Sequence, residues 1–302
     1  MKVICSSDKS LYRPEVVRWR KRMSMMAPLG EVVVVLPCSM RKPYSNSKSH
    51  QIFKRATKGY QELIVTSPFG ICPREMENTF PIQSYDVAVS GDWNHEEIKI
   101  AGELLRDYVG DKKVIANVHG GYEEVCRAYL DDAEYVCADG RPTAPDSIYN
   151  LRQALKKYPK VKHREKVLNE LRSIAKYQFG EGAEAMISDD VVAKGRYHRK
   201  IYADGEQLAL LNRDMGLYSL NLEGGRRLAE LGIHVVEIDF DLKTNSLFAP
   251  GIVSADSSII PNDEVVVVRD GEVVGVGKAV LTGREMEEST NGIGVKIRHR
   301  KK

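Results

Sequence analysis

Val32-Val33-Val34-Val35-Leu36-Pro37-Cys38-Ser39-Met40 is the stretch on which the fold turns. Four valines and a leucine without a polar break fit a strand covered on both faces, the condition of an inner strand in a parallel sheet. The theme recurs. Short β-rich runs at 62–66, 86–90, 113–117 and 135–137 alternate with helical patterns at 49–60, 94–109, 120–131 and 146–157. Strands alternating with helices predict a largely parallel sheet with helices on its faces, a three-layer α/β domain. Ahead of it a basic helix is predicted over 14–25, opened by Pro14 and stopped at Pro28-Leu29-Gly30. In such sheets function gathers on the loops beyond the carboxyl ends of the strands. Here those loops read Pro37-Cys38-Ser39-Met40, Ser67-Pro68-Phe69-Gly70, Gly91-Asp92-Trp93-Asn94 and Val118-His119-Gly120-Gly121.

Beyond residue 157 the pattern changes. A charged helix over 164–179 leads into short strands and turns, which reads as a small α+β middle domain over 158–229. From 230 to 302 valine-rich runs at 235–238, 265–268, 273–276 and 278–281, with 294–297, read as a compact β-barrel followed by a basic tail. Asp270-Gly271 between two of those runs is a hairpin signal, because the turn needs positive φ. The expected organisation is therefore 1–157, 158–229 and 230–302, in keeping with 302 residues and domains of roughly 100–150.

Composition excludes several classes. With 42% hydrophobic and 29% charged residues, the chain has the make-up of a folded soluble protein. Its longest apolar runs are strand-length, and the basic N-terminus lacks a secretory pattern, so a cytoplasmic protein is expected. Cys5, Cys38, Cys72, Cys126 and Cys137 include no CxxC pair, so neither a disulfide framework nor a metal site is expected. No cofactor is expected either. Residues 1–60 carry 13 Lys/Arg against three acids, which leaves the rest of the chain net acidic. A face that meets a polyanion is one reading of that asymmetry, and a solvated basic helix is the other.

Two motifs sharpen this. Phe248-Ala249-Pro250-Gly251-Ile252, Ile260-Pro261-Asn262-Asp263-Glu264-Val265 and the segment from Gly271 to Gly277, with Met286, resemble the PUA domain, a pseudobarrel of RNA-modifying enzymes. Asn262 stands where that family usually has Gly. Pro37-Cys38-Ser39-Met40-Arg41-Lys42-Pro43-Tyr44-Ser45-Asn46-Ser47-Lys48-Ser49-His50 matches PC-x3-KPY-x2-S-x2-H, a signature that resembles archaeosine synthase. The likeness continues through Thr66 to Glu77, Tyr85-Asp86, Gly91-Asp92-Trp93 and Tyr177-Gln178-Phe179-Gly180. It implies a catalytic domain related to the uracil-DNA glycosylase-like fold. Longer members open with a transglycosylase-like barrel, so a short form, or a barrel on another polypeptide, is expected.

The resemblance implies a tRNA-modifying transferase. It would add free lysine to the nitrile of 7-cyano-7-deazaguanine at position 15, in the D-arm of archaeal tRNA, and a radical-SAM partner would complete archaeosine. A nitrile is a weak electrophile, so Cys38 is the candidate nucleophile, its thiolate favoured by Arg41, Lys42 and His50. That requires the sulfur to face an open, positively lined pocket. His50 is the candidate acid or base, and Glu75 and Asp92, on neighbouring strand-end loops, are candidates to hold or deprotonate the incoming amine. Lys42, Pro43, Tyr44, Ser47 and Arg74 are assigned to substrate, with Lys42 on a phosphate and Tyr44 against the base. Arg41, Arg298, Arg300, Lys301 and Lys302 are assigned to tRNA. The alternative is a non-catalytic subunit that presents the D-arm to another enzyme; a base-excising glycosylase rests on fold analogy alone.

Overall fold

The computed structural model describes residues 2–5, 8–87 and 92–301. The chain divides into two compact units, Met1–Ser173 and Ile174–Lys302, each taken by itself below.

The first unit runs β1 (Val3–Cys5), α1 (Pro14–Met23), β2 (Val32–Pro37), α2 (Lys48–Ala56), β3 (Gln61–Thr66), β4 (Gly70–Pro73), β5 (Tyr85–Val87), α3 (His95–Val109), β6 (Lys113–Ala116), α4 (Gly121–Tyr129), β7 (Ala133–Tyr135) and α5 (Pro145–Leu155). A further helix, α6 (His163–Phe179), crosses the division. The central sheet has the order β4-β3-β2-β6-β7, and all of it is parallel except β4. β2 lies in the middle, as its valine run requires, with Val32 to Leu36 at most 2% exposed. Side chains alternate across a strand. Val32, Val34 and Leu36 join Phe53 of α2 and Ile148, Leu151 and Leu155 of α5 in one core. On the opposite face α1 packs on β4, and α3 packs on β3 and β4. Trp19 of α1 anchors there, its Nε1 donating to the Ile71 carbonyl at 2.9 Å.

Two expectations change. The run at 86–90 is not a strand of the central sheet: Tyr85, Asp86 and Val87 pair instead with Val3, Ile4 and Cys5 in a separate two-stranded parallel sheet. Residues 88–90 lie outside the described residues. A strand over 70–73 is not anticipated in the sequence. It follows β3 by a three-residue turn, too short for a parallel crossover, so it returns antiparallel.

The second unit contains an antiparallel sheet of β8 (Val192–Lys194), β9 (Arg199–Ala203), β10 (Glu206–Asn212) and β11 (Leu217–Leu220), followed by α7 (Leu222–Glu230). The barrel is built from β12 (Val235–Glu237), β13 (Ser246–Phe248), β14 (Ser254–Ala255), β15 (Glu264–Arg269), β16 (Glu272–Ala279), α8 (Gly283–Glu288) and β17 (Ile293–Arg300), in the order β13-β17-β16-β15-β12-β14. Gly224 and Gly225 let α7 approach both sheets closely. A Cβ there would stand 2.2 Å from the Leu208 carbonyl or 2.5 Å from Val276. Asp270 and Gly271 form the anticipated turn, with φ of 52° and 77° and Arg269 facing Glu272. The runs at 273–276 and 278–281 are not separate strands: β16 continues through Gly277. The expected basic tail is also different, because Arg298, His299 and Arg300 are the end of β17.

Candidate active site

β2 and β3 end side by side, with Pro37 opposite Val65. Cys38 therefore stands at the carboxyl edge of the sheet beside Thr66. Its thiol is half-buried, and its Sγ lies 3.0 Å from the Tyr122 hydroxyl at the start of α4. The Trp93 ring meets the Tyr122 ring edge-on at 5.1 Å between centroids. Tyr85 crosses from β5, its hydroxyl 2.7 Å from that of Tyr44 and in contact with Thr66 Oγ1.

Lys42 turns inward over this group. Its Nζ is buried, has no hydrogen-bond partner, and sits 4.1 Å from the centroid of the Tyr85 ring and 5.6 Å from that of Tyr44. Burial pushes the Cys38 thiol up, against the Tyr122 hydrogen bond and the Lys42 charge, which pull it down. Burial pushes the Lys42 ammonium down, while Cys38 and Asp86 draw it back. The expected setting for Cys38, a thiolate favoured outright by positive charge, is thus not the one formed. Desolvation opposes the charge on both partners.

The rest of the motif builds the loop that carries Lys42. Tyr44 is fully buried, so it is tied to Tyr85 and not offered to a base from solvent. The Ser45 amide donates to Glu77 Oε2 at 2.7 Å. Ser47 is the N-cap of α2 and accepts from the His50 amide at 3.2 Å. Pro43 follows Lys42 through a cis peptide bond. Arg74, expected on substrate, is committed inside the protein. Its Nε donates to Glu62 at 2.7 Å, its Nη1 to Glu77 at 2.9 Å and its Nη2 to His50 Nδ1 at 2.7 Å. A guanidinium only donates, so His50 Nδ1 accepts and the ring proton belongs on Nε2. His50 is fully buried, and burial together with the Arg74 charge lowers its pKa to about 2. It is a neutral ring behind Pro37, not a charged neighbour that favours the Cys38 thiolate.

Glu75 is not on a loop next to Cys38. Because β4 runs antiparallel, the chain leaves it at the amino end of the sheet. There Gln61 Nε2 donates to Glu75 at 2.8 Å and Asn169 Nδ2 at 2.7 Å. Gln61 is five residues from Thr66, roughly 16 Å along the strand. With Tyr60, Glu62, Arg74 and Lys166, Glu75 lines a cavity of about 200 Å³. Burial pushes its carboxyl up, and the Gln61 bond pulls it down. Asp92 is exposed in the segment before α3. Arg41 is exposed. Arg298 pairs with Glu264 and donates to the Leu220 carbonyl at 3.0 Å. Arg300 donates to the Lys243 carbonyl, and Lys301 lies 3.5 Å from Glu272. Lys302 lies outside the described residues. Among the described residues no group of His, Cys, Asp and Glu could hold a metal ion, and no helix is long and apolar enough to cross a membrane.

Thr66, Tyr85 and Tyr122 are the neighbours of Cys38 that sequence reasoning did not assign. Thr66 was legible as the last residue of a strand. Tyr122 had the weaker signal of a helix opening directly behind Gly120-Gly121.

Three family models match the chain: a domain of unknown function, DUF5591, over residues 16–155; the patch-forming domain C2 of tRNA-guanine transglycosylase over 169–232; and the PUA domain over 235–301. Archaeosine synthase subunit alpha of Methanosarcina acetivorans is 36% identical over 99% of this chain and 52% of its own length. Archaeosine synthase of Methanocaldococcus jannaschii is 33% identical over 99% of this chain and 54% of its own. This chain is an archaeosine synthase homologue. It spans about half the length of those curated relatives. The tRNA-guanine(15) transglycosylase of Methanothermobacter thermautotrophicus is 31% identical over 97% of this homologue and 43% of its own length. The crystal structure of AF0587, a protein of unknown function, superposes with a TM-score of 0.76 at 28% identity, covering 94% of the homologue and all of AF0587.

Proposed function

We propose that this archaeosine synthase homologue is a tRNA-modifying transferase that adds an amine, free lysine, to the nitrile of 7-cyano-7-deazaguanine at position 15 in the D-arm of tRNA. One observation carries the reading: Cys38 stands at the carboxyl edge of a parallel sheet with a hydroxyl 3.0 Å from its sulfur and a buried ammonium beside it. A nitrile carbon needs a strong nucleophile and a proton for its nitrogen, and these groups can supply both. Cys38 attacks the nitrile to form a covalent thioimidate, which the lysine amine displaces. His50, Arg74, Tyr44 and Ser47 act in this reading by shaping the loop, and Glu75 is too far from the sulfur to touch the incoming amine. Asp92, on the strand-end segment next to Trp93, keeps its assignment to that amine.

The same reading divides the chain into a catalytic domain at 1–157, related to the uracil-DNA glycosylase-like fold, a middle domain at 158–229 and an RNA-gripping domain at 230–302. Arg41, Arg298, Arg300 and Lys301 meet tRNA phosphates, the setting is cytoplasmic, and a radical-SAM enzyme acts on the product. The homology to archaeosine synthases and the PUA match support this assignment. Incubating the purified protein with nitrile-bearing tRNA and lysine tests it. The tRNA is expected to gain the mass of one lysine, and an unchanged mass across lysine concentrations rejects the reading. Cys38→Ala separates the enzyme from a mere presenter of tRNA, since only the enzyme loses turnover while keeping its grip on tRNA.

A further inference from the structure

A buried ammonium with three donors and no acceptor is costly, and the KPY loop appears nowhere to relieve it. Lys42 Nζ has less than contact with solvent to compensate, yet Tyr44, Ser45, Ser47 and His50 are all committed to holding the loop that places it. Its surroundings are the Tyr85 and Tyr44 ring faces and the Cys38 sulfur, close enough that each shifts the other's proton equilibrium. The only imidazole of the motif, His50, is sealed behind Pro37 with Nδ1 occupied by Arg74. We infer that Lys42 is a catalytic residue: it is the proton carrier of Cys38, giving a proton to the nitrile nitrogen and recovering one from the incoming amine. The inference rests on the amine-transfer reading above and assigns the acid and base within it.

The steps balance around one proton. With the pair as thiolate and ammonium, Cys38 Sγ bonds to the nitrile carbon while one carbon–nitrogen π bond opens. The electron pair moves to nitrogen, which takes a proton from Lys42. The products are a thioimidate and a neutral Lys42 amine. The lysine co-substrate then adds through its amine to the same carbon, and the proton it sheds passes to Lys42. The carbon–sulfur bond breaks, its pair returns to sulfur, and the amidine leaves. The site ends as it began, with no electron gained or lost. The Tyr85 ring face suits this traffic, because it attracts the ammonium through its quadrupole without accepting its proton.

Lys42→Arg and Lys42→Met test the assignment. Arginine keeps the charge but does not give up its proton, whereas methionine keeps only the length. Two readouts apply: alkylation of Cys38 by iodoacetamide, followed on its peptide by mass, and lysine transfer to nitrile-bearing tRNA. Lys42→Met is expected to slow Cys38 alkylation about tenfold or more, because the thiolate loses its counter-charge. Lys42→Arg is expected to keep alkylation within about threefold while losing about a hundredfold or more of transfer. Transfer by Lys42→Arg within about threefold of the native rate overturns the proposal, as does unchanged alkylation in Lys42→Met. If the native protein transfers nothing but the alkylation pattern holds, the amine-transfer reading fails and the Cys38–Lys42 proton pair stands.

Discussion

The two ends of the central sheet handle buried charge in opposite ways. At the amino end Arg74 has a partner for each of its three nitrogens, and Glu62 is met again by the Thr57 hydroxyl at 2.7 Å. At the carboxyl end Lys42 has no hydrogen-bond partner for its ammonium. A satisfied network fixes structure, whereas an unsatisfied group costs stability and is tolerated where chemistry needs it. The difference separates scaffold from site within one short motif, since His50 and Lys42 are eight residues apart yet answer to opposite ends.

The largest effect falls on the carboxyl end. Cys38→Ala removes the group that bonds to substrate, so turnover on nitrile-bearing tRNA should fall by about 10⁴-fold. The denaturation midpoint should stay within about 0.5 kcal/mol of native, because the sulfur supports little else. Retained turnover would erase the contrast between the ends.

Arg74→Met strikes the amino end and should do the reverse. It strands Glu62 and Glu77 in the interior, where their side chains are 6% and 4% exposed, and removing one partner of a buried pair costs about 3–5 kcal/mol. Urea unfolding measures this. A loss below about 1 kcal/mol would mean that Arg74 is free for substrate after all.

How much of this was legible in the sequence follows the same division. The valine run fixed β2 at the centre of a parallel sheet, and Asp270-Gly271 fixed its hairpin, because both are local statements about burial and φ. Cys38 was legible because a strand ended just before it. The partners of Arg74 were not, because they depend on β4 turning back, and nothing in Gly70-Ile71-Cys72-Pro73 announces an antiparallel strand. For the same reason Glu75 looked like a neighbour of Cys38 while lying at the far end. Nor does a motif distinguish residues that meet substrate from those that hold the loop: Tyr44 and Ser47 have the polar atoms for either task, and only their hydrogen bonds decide.

His50 joins the two ends, and its neutrality is measurable. Its pKa falls from an ordinary 6.5 to about 2, so between those values the unfolded chain binds a proton that the native protein does not. The contribution of neutral His50 is then fully present above about pH 6.5 and is lost as pH falls toward 2, by roughly 1.4 kcal/mol per pH unit. In His50→Gln the stability lost between about pH 7 and about pH 5 should shrink by roughly 2 kcal/mol relative to native. An identical pH dependence in the two proteins would show that His50 is protonated when folded, and so free to serve as an acid.

The smallest effect tests the motif at its most ambiguous residue. Ser47→Ala removes the acceptor for the His50 amide at the start of α2, and losing such a cap costs about 1 kcal/mol. As a cap, Ser47 should shift the unfolding midpoint and leave the Michaelis constants for lysine and tRNA within about twofold. As a substrate ligand it should do the opposite, raising a Michaelis constant about tenfold with the midpoint unmoved. The second outcome would place a substrate contact among the groups that hold the loop, and satisfied hydrogen bonds would then no longer tell scaffold from site.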